Sequence, residues 1–204
     1  MLNKKFKPHF GKISMIAIIL CVALVAVDLI LKHFEEAQKW EFTVIPGFIW
    51  VEHGHHNYGS AFSFLADASW GPVFLTAFAA VLLCVLATAF IFIPERFSFL
   101  KIAMAMIIAG AVANLVDRVA FGYVRDFVWV NMLFSTACCN FADFFIVFGV
   151  IFAVIDFLFL NEWAIIPLTK RAKAAHELEK QRELAEKQKN ESPDDLSEDG
   201  RGEN

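Results

Sequence analysis

Four long apolar runs constrain this chain more than any other feature. They cover residues 13–31, 68–93, 102–116 and about 140–163, and almost no charge interrupts them. A run of about 20 apolar residues matches the hydrocarbon core of a bilayer, and only helices and closed barrels satisfy the backbone there. The expected fold is therefore mainly α: a polytopic membrane protein with four transmembrane helices. The 58 % hydrophobic content, with 23 Phe, is gathered into these blocks. The net charge of -4 says little, because the charges are segregated, and nothing in their pattern points to nucleic acid.

Charge also orients the helices. Four lysines precede the first run, Arg96 and Lys101 lie between the second and third, and KRAK follows Pro167. The positive-inside rule places all three clusters, and hence both termini, on the cytoplasmic side of the membrane. The basic start resembles a signal peptide, but no small-residue cleavage site follows, so the first helix is expected to be retained. The expected domains are residues 1–165 in the membrane and a charged tail over 166–204. The tail has helix-forming composition up to about Lys189, then the composition of disorder.

The outer segments carry the other signals. EFTVI and FIWVEH have strand-like content and predict a small β-rich segment on the membrane surface. FVWVNMLF, within residues 120–136, is expected to lie flat in the interface with its aromatics among the headgroups. His53, His55 and His56 lack ligands at helical spacing, so no metal is assigned to them. Cys21 and Cys84 are expected to be small buried hydrophobes, and the adjacent Cys138 and Cys139 carry no redox inference.

The topology sends Asp28, Lys32, Asn57, Asn114, Asp117, Arg118, Asp126, Asn140 and Asp143 to one membrane face. Polar groups at membrane depth are costly and mark function or mutual pairing. Asp28 and Lys32, four apart on one helix face, fit a helix-end ion pair and a support for the site equally well. No Ser, Cys or His stands as a nucleophile–base pair, and there is no HExxH motif. Two carboxylates held close share a proton and can activate water, as in aspartic proteases. Intramembrane aspartates also serve as proton relays, so residue types alone leave a small proton-coupled transporter open beside the enzyme. A non-catalytic scaffold is a third alternative.

Four blocks in order carry a family resemblance: Asp28 with Lys32, NYGSAFSFL from Asn57, AGAVANLVDRVAFGYVRDFV over 109–128, and CNFADFFI over 139–146. Together they resemble lipoprotein signal peptidase (signal peptidase II), the family of bacterial membrane aspartic peptidases. The resemblance covers roughly residues 13–163. It implies that Asp126 and Asp143 are the catalytic dyad and that Asp117 supports them. It implies that Asn57, Asn114, Arg118 and Asn140 line the site and that Asp28 and Lys32 steady it. It further implies a reaction without cofactor, on prolipoproteins, cleaved just before a diacylglyceryl-modified cysteine. The expected partners are these substrates and membrane lipids, and the expected state is a monomer. Ala113 stands where the family usually has Gly, and Cys139 where it usually has Phe. Phe62, Phe64 and Trp129 are the expected lid over the site.

Overall fold

A computed structural model describes residues 8–59, 70–132, 135–162 and 164–190. The chain divides into two compact units, Met1–Ala153 and Val154–Asn204. The expected lid aromatics Phe62 and Phe64, the basic Lys4, Lys5 and Lys7, and the tail beyond residue 190 lie outside the described residues.

The first unit is built on helices α1 (Lys12–Gln38), α2 (Gly71–Phe92), α3 (Ser98–Phe121) and the start of α4 (Phe141–Ile155). Their ends follow from local chemistry. Pro72 sits in the first turn of α2, where its missing N–H costs nothing, and Ile93 leaves the helix in an extended conformation just before Pro94. Gly122 stops α3 in the left-handed region at φ 82°, its N–H returning to the Arg118 carbonyl. With the helical turn that continues α4 to Leu160, the helices form four candidate membrane spans. The apolar flanks of α1 and α2, including Ile19, Val22, Val73 and Val81, are exposed, as expected of surfaces that face lipid. Cys84 lies on that exposed flank and is not a buried hydrophobe. In a membrane an apolar side chain gains little by turning inward, so composition does not predict which side of a helix it takes.

α3 is the most enclosed of the four. Ala103, Ala105, Ala109, Gly110 and Ala113 are all buried along it. A Cβ at Gly110 would run into the Ala142 carbonyl oxygen and come within 2.7 Å of Ile146 Cγ1. Gly149 of α4 answers from the other side, where a Cβ would lie 2.8 Å from the Ala103 carbonyl oxygen. Small residues on both faces let the two backbones touch, the usual means of tight helix packing in lipid.

One end of the bundle is closed by a cluster that hydropathy gave no hint of. The Glu95 carboxylate accepts from the backbone N–H groups of Ile13 (2.9 Å) and Ser14 (3.3 Å), and so caps the start of α1. The Ser14 hydroxyl also donates to it. The buried Lys101 ammonium reaches Glu95 Oε1 at 2.7 Å, the His9 carbonyl at 2.8 Å and the Ser14 hydroxyl. These donors hold the Glu95 carboxyl down at about 2, the Lys101 ammonium first among them.

At the other end lies an antiparallel sheet in the order β1 (Glu41–Ile45), β2 (Ile49–Asn57), β3 (Val124–Met132) and β4 (Ser135–Cys139). The expected small sheet is present but twice as wide as the sequence suggested. FVWVNMLF does not lie flat as an interfacial segment: its residues through Met132 belong to β3, paired with β2 on one side and β4 on the other. Its β-branched content suits a pleated strand, and neighbours on both sides supply the backbone partners that settle the choice. Val51, Phe127 and Val128 form a core with Leu31 and Trp40 at the end of α1 and Phe144 of α4. The sheet thus rests on the helix ends.

In the second unit, residues Asp156–Leu160 form a π-helical turn that ends at Asn161, whose side chain donates to Asp156 at 3.2 Å. Asp156 is buried. Helix α5 (Lys170–Asn190) is largely polar, with Leu178 and Leu184 exposed on it.

The close contact at Gly110 gives a direct expectation. Gly110→Leu must push α3 from α4 and lower stability by about 3 kcal/mol or more, with Gly110→Ala costing about 1–3 kcal/mol, read from thermal unfolding in detergent.

Candidate active site

The site begins with a buried lysine. Lys32 is fully enclosed, and an ammonium has three N–H donors. All three have acceptors: Asp28 at 2.7 Å, Asp117 at 3.2 Å and the Asn114 side-chain oxygen at 3.1 Å. Asp117 is shared with Arg125, whose guanidinium binds it at 2.7 Å and whose backbone N–H donates at 3.1 Å. Asp28 uses its other oxygen to accept the Ala142 N–H at 2.8 Å, which fixes the first turn of α4. Two cations and two anions therefore balance in one enclosed network joining α1, α3, β3 and α4. Asp28 and Lys32 form the i, i+4 ion pair, and both also bond to groups beyond α1.

Two further carboxylates sit beside this network. Asp126 of β3 accepts from Asn57 at 2.9 Å and from Asn140 at 2.6 Å. Asp143, in the first turn of α4, accepts from Asn114 at 2.8 Å and from the Asn140 backbone N–H at 3.1 Å. Asn140 holds both: its amide reaches Asp126 and the Asn114 oxygen, while its own oxygen accepts the Asp143 N–H at 3.1 Å. This last pair of bonds is a reciprocal helix cap, which is why α4 begins where it does. Burial, and then the neighbouring charge of Asp143, push the Asp126 carboxyl up to about 7. Near neutral pH Asp126 is thus a carboxyl that readily holds a proton.

Both aspartates open onto one cavity of about 500 Å³, which Asn57, Asn114, Arg118, Trp129 and strand β4 also line. Arg118 directs one nitrogen to the Gly59 carbonyl at 3.3 Å and another to the Asn114 carbonyl at 3.5 Å, and its side chain lines the cavity. Cys139 and Cys138 border the same space. Burial pushes the Cys139 thiol up to about 12 and raises Cys138 as well, so neither is a ready nucleophile. The three histidines have separate partners. His53 lies 2.6 Å from Glu35, His55 packs edge-on against Trp129, and His56 stacks on Tyr123.

Every expected site residue is brought together here. Sequence reasoning missed Arg125, which neutralises Asp117. The available signal was its place beside Asp126, but an arginine flanking an aspartate reads most simply as a surface charge. It also missed that β4 would wall the cavity.

The residues at 20–159 match the family model described as Signal peptidase (SPase) II. The chain belongs to the signal peptidase II family. A lipoprotein signal peptidase of Pseudomonas fluorescens is 35 % identical over 156 residues, covering 72 % of this chain and 89 % of that one. One from Ectopseudomonas mendocina is 36 % identical over 147 residues, 68 % of this chain and 85 % of that one. The lipoprotein signal peptidase of Acinetobacter baumannii is 40 % identical over 111 residues, 52 % of this chain, and the match spans only 62 % of that protein's length. Among solved structures, a bacterial membrane enzyme is similar at TM-score 0.59 and 29 % identity, over 74 % of this chain and 96 % of that one.

The enclosed lysine generates a clear expectation. Lys32→Met leaves Asp28 and Asp117 facing each other without their shared cation, and should cost about 3–5 kcal/mol of stability. Conservative Lys32→Arg should not restore it, because a planar guanidinium does not fit three acceptors arranged about one nitrogen.

Proposed function

We propose that this protein is a membrane aspartic endopeptidase that removes the signal peptide from prolipoproteins, cutting before the diacylglyceryl-modified cysteine. The single observation that carries the reading is the pair Asp126 and Asp143 on one cavity, held by the same asparagine. The names of the relatives supply the substrate class. Such a pair, one carboxyl protonated and one ionised, is what water activation needs.

Asp126 holds the proton in the resting pair, in keeping with its raised titration point. It polarises the scissile carbonyl while Asp143 takes a proton from water. The tetrahedral intermediate then collapses as the leaving nitrogen takes a proton. Asn57, Asn114 and Asn140 keep the carboxyls in place, and Arg118 reaches the peptide or lipid headgroup. Trp129 on the cavity wall belongs to the closure over the substrate. The site faces the outer surface of the inner membrane, with both termini in the cytoplasm, and the protein acts as a monomer without a cofactor. Residues 1–165 form the peptidase domain and 166–204 a charged appendix.

Three outcomes test this. Asp126→Asn and Asp143→Asn should each lower cleavage of a lipid-modified prolipoprotein by about 10²–10⁴-fold while the purified variants keep their melting temperatures. Cleavage persisting in either one rejects the dyad. If Asp126 must be protonated, kcat/KM should be retained below about pH 7 and fall as pH rises through it; a rate that climbs through that range contradicts the assignment. Removing 170–204 should leave cleavage unchanged, because the tail is predominantly polar and contributes no residue to the cavity that holds the aspartates.

A further inference from the structure

The sheet has two edge strands, β1 and β4, and β4 borders the catalytic cavity. Among the described residues β4 pairs only with β3, so alternate N–H and C=O groups along it turn away from the sheet. Four consecutive residues of this strand, Thr136, Ala137, Cys138 and Cys139, line the cavity. Successive side chains of a strand point to opposite faces. Four in a row place the backbone of β4 itself, and not only its alternate side chains, against the cavity that holds the aspartates. Its outer edge has no strand partner among the described residues.

The continuation of the strand places that edge against the chemistry. Asn140, which holds both Asp126 and Asp143, is the next residue after β4. Across the ladder from Cys138 stands Trp129, whose indole N–H is buried and lacks an acceptor among the described residues. An open strand edge and an orphan donor on the same wall both ask for a ligand with regularly spaced amide groups.

We propose that the edge of β4 takes the stretch of substrate around the scissile bond as an added strand of the sheet. This rests on the peptidase reading above and says how the peptide is held. A peptide bond within a membrane helix has its carbonyl committed to the i+4 amide and is closed to attack. Once the segment unwinds, its N–H and C=O groups lose their helical partners, and those it buries against the protein need new ones. β4 supplies them by strand addition, whose affinity comes from main-chain hydrogen bonds and which tolerates varied side chains. Ile146 and Val147 of α4 continue the same cavity as an apolar wall for the part of the substrate that stays in the lipid.

The test is an N-methyl scan of a synthetic diacylglyceryl-cysteine peptide, with the wild-type protein in detergent. One amide at a time is methylated on either side of the scissile bond, never at it. Strand addition predicts a period of two: methylation at alternate positions lowers kcat/KM about tenfold, the value of one hydrogen bond with its stranded partner, and at the positions between them by less than about threefold. A flat profile, or losses that grow smoothly toward the bond, would overturn the strand-addition proposal while leaving the peptidase reading intact. Failure to cleave the unmethylated parent would overturn the peptidase reading itself, and this proposal with it.

Discussion

The site depends on one buried ammonium. Lys32 spends all its donors on Asp28, Asp117 and Asn114, and each of those acceptors has a second task. Asp28 seats the first turn of α4, Asp117 anchors Arg125 at the start of β3, and Asn114 reaches Asp143. Removing any one member strands a charge where desolvation is severe, so the network is set as a unit. Its value lies in register. It holds the end of α4, which carries Asp143, and the start of β3, which carries Asp126, at fixed positions on two unlike elements.

Above that network Asn140 does for the Asp126 and Asp143 carboxylates what Lys32 does for its acceptors. A side-chain amide has donors and an acceptor, and here each meets a different part of the site. Because neither oxygen of either aspartate faces only water, the two carboxyls are held apart from free rotation. Burial, and after it the charge of Asp143, is what raises the Asp126 carboxyl. The small-residue contact of α3 with α4 keeps Asn114 and Asp143 within reach of each other, so helix packing and site geometry are one constraint.

Much of this was legible in the sequence. Hydropathy located four helices, and charge segregation grouped the polar residues at one end. Asp28 and Lys32 showed their pairing through helical spacing, because i and i+4 is a local rule. What was not legible is non-local. Nothing near Arg125 says that Asp117 will meet it, and nothing near Glu95 says that it will cap α1 from a distant loop. The strand β3 was misread for a related reason: an aromatic, β-branched stretch suits an interface and a sheet alike until its neighbours on both sides are known. The three histidines before Asn57 make separate contacts, with Glu35, Trp129 and Tyr123.

The most direct test of the central claim pairs two substrates. Purified full-length protein in detergent is incubated with a prolipoprotein bearing the diacylglyceryl cysteine and, separately, with the same prolipoprotein unmodified, and released signal peptide is followed on a gel. The account predicts cleavage of the modified substrate and not of the unmodified one. No cleavage of either, from protein shown to be folded by its thermal transition, would contradict it and return the aspartates to the role of a proton relay or a structural cluster.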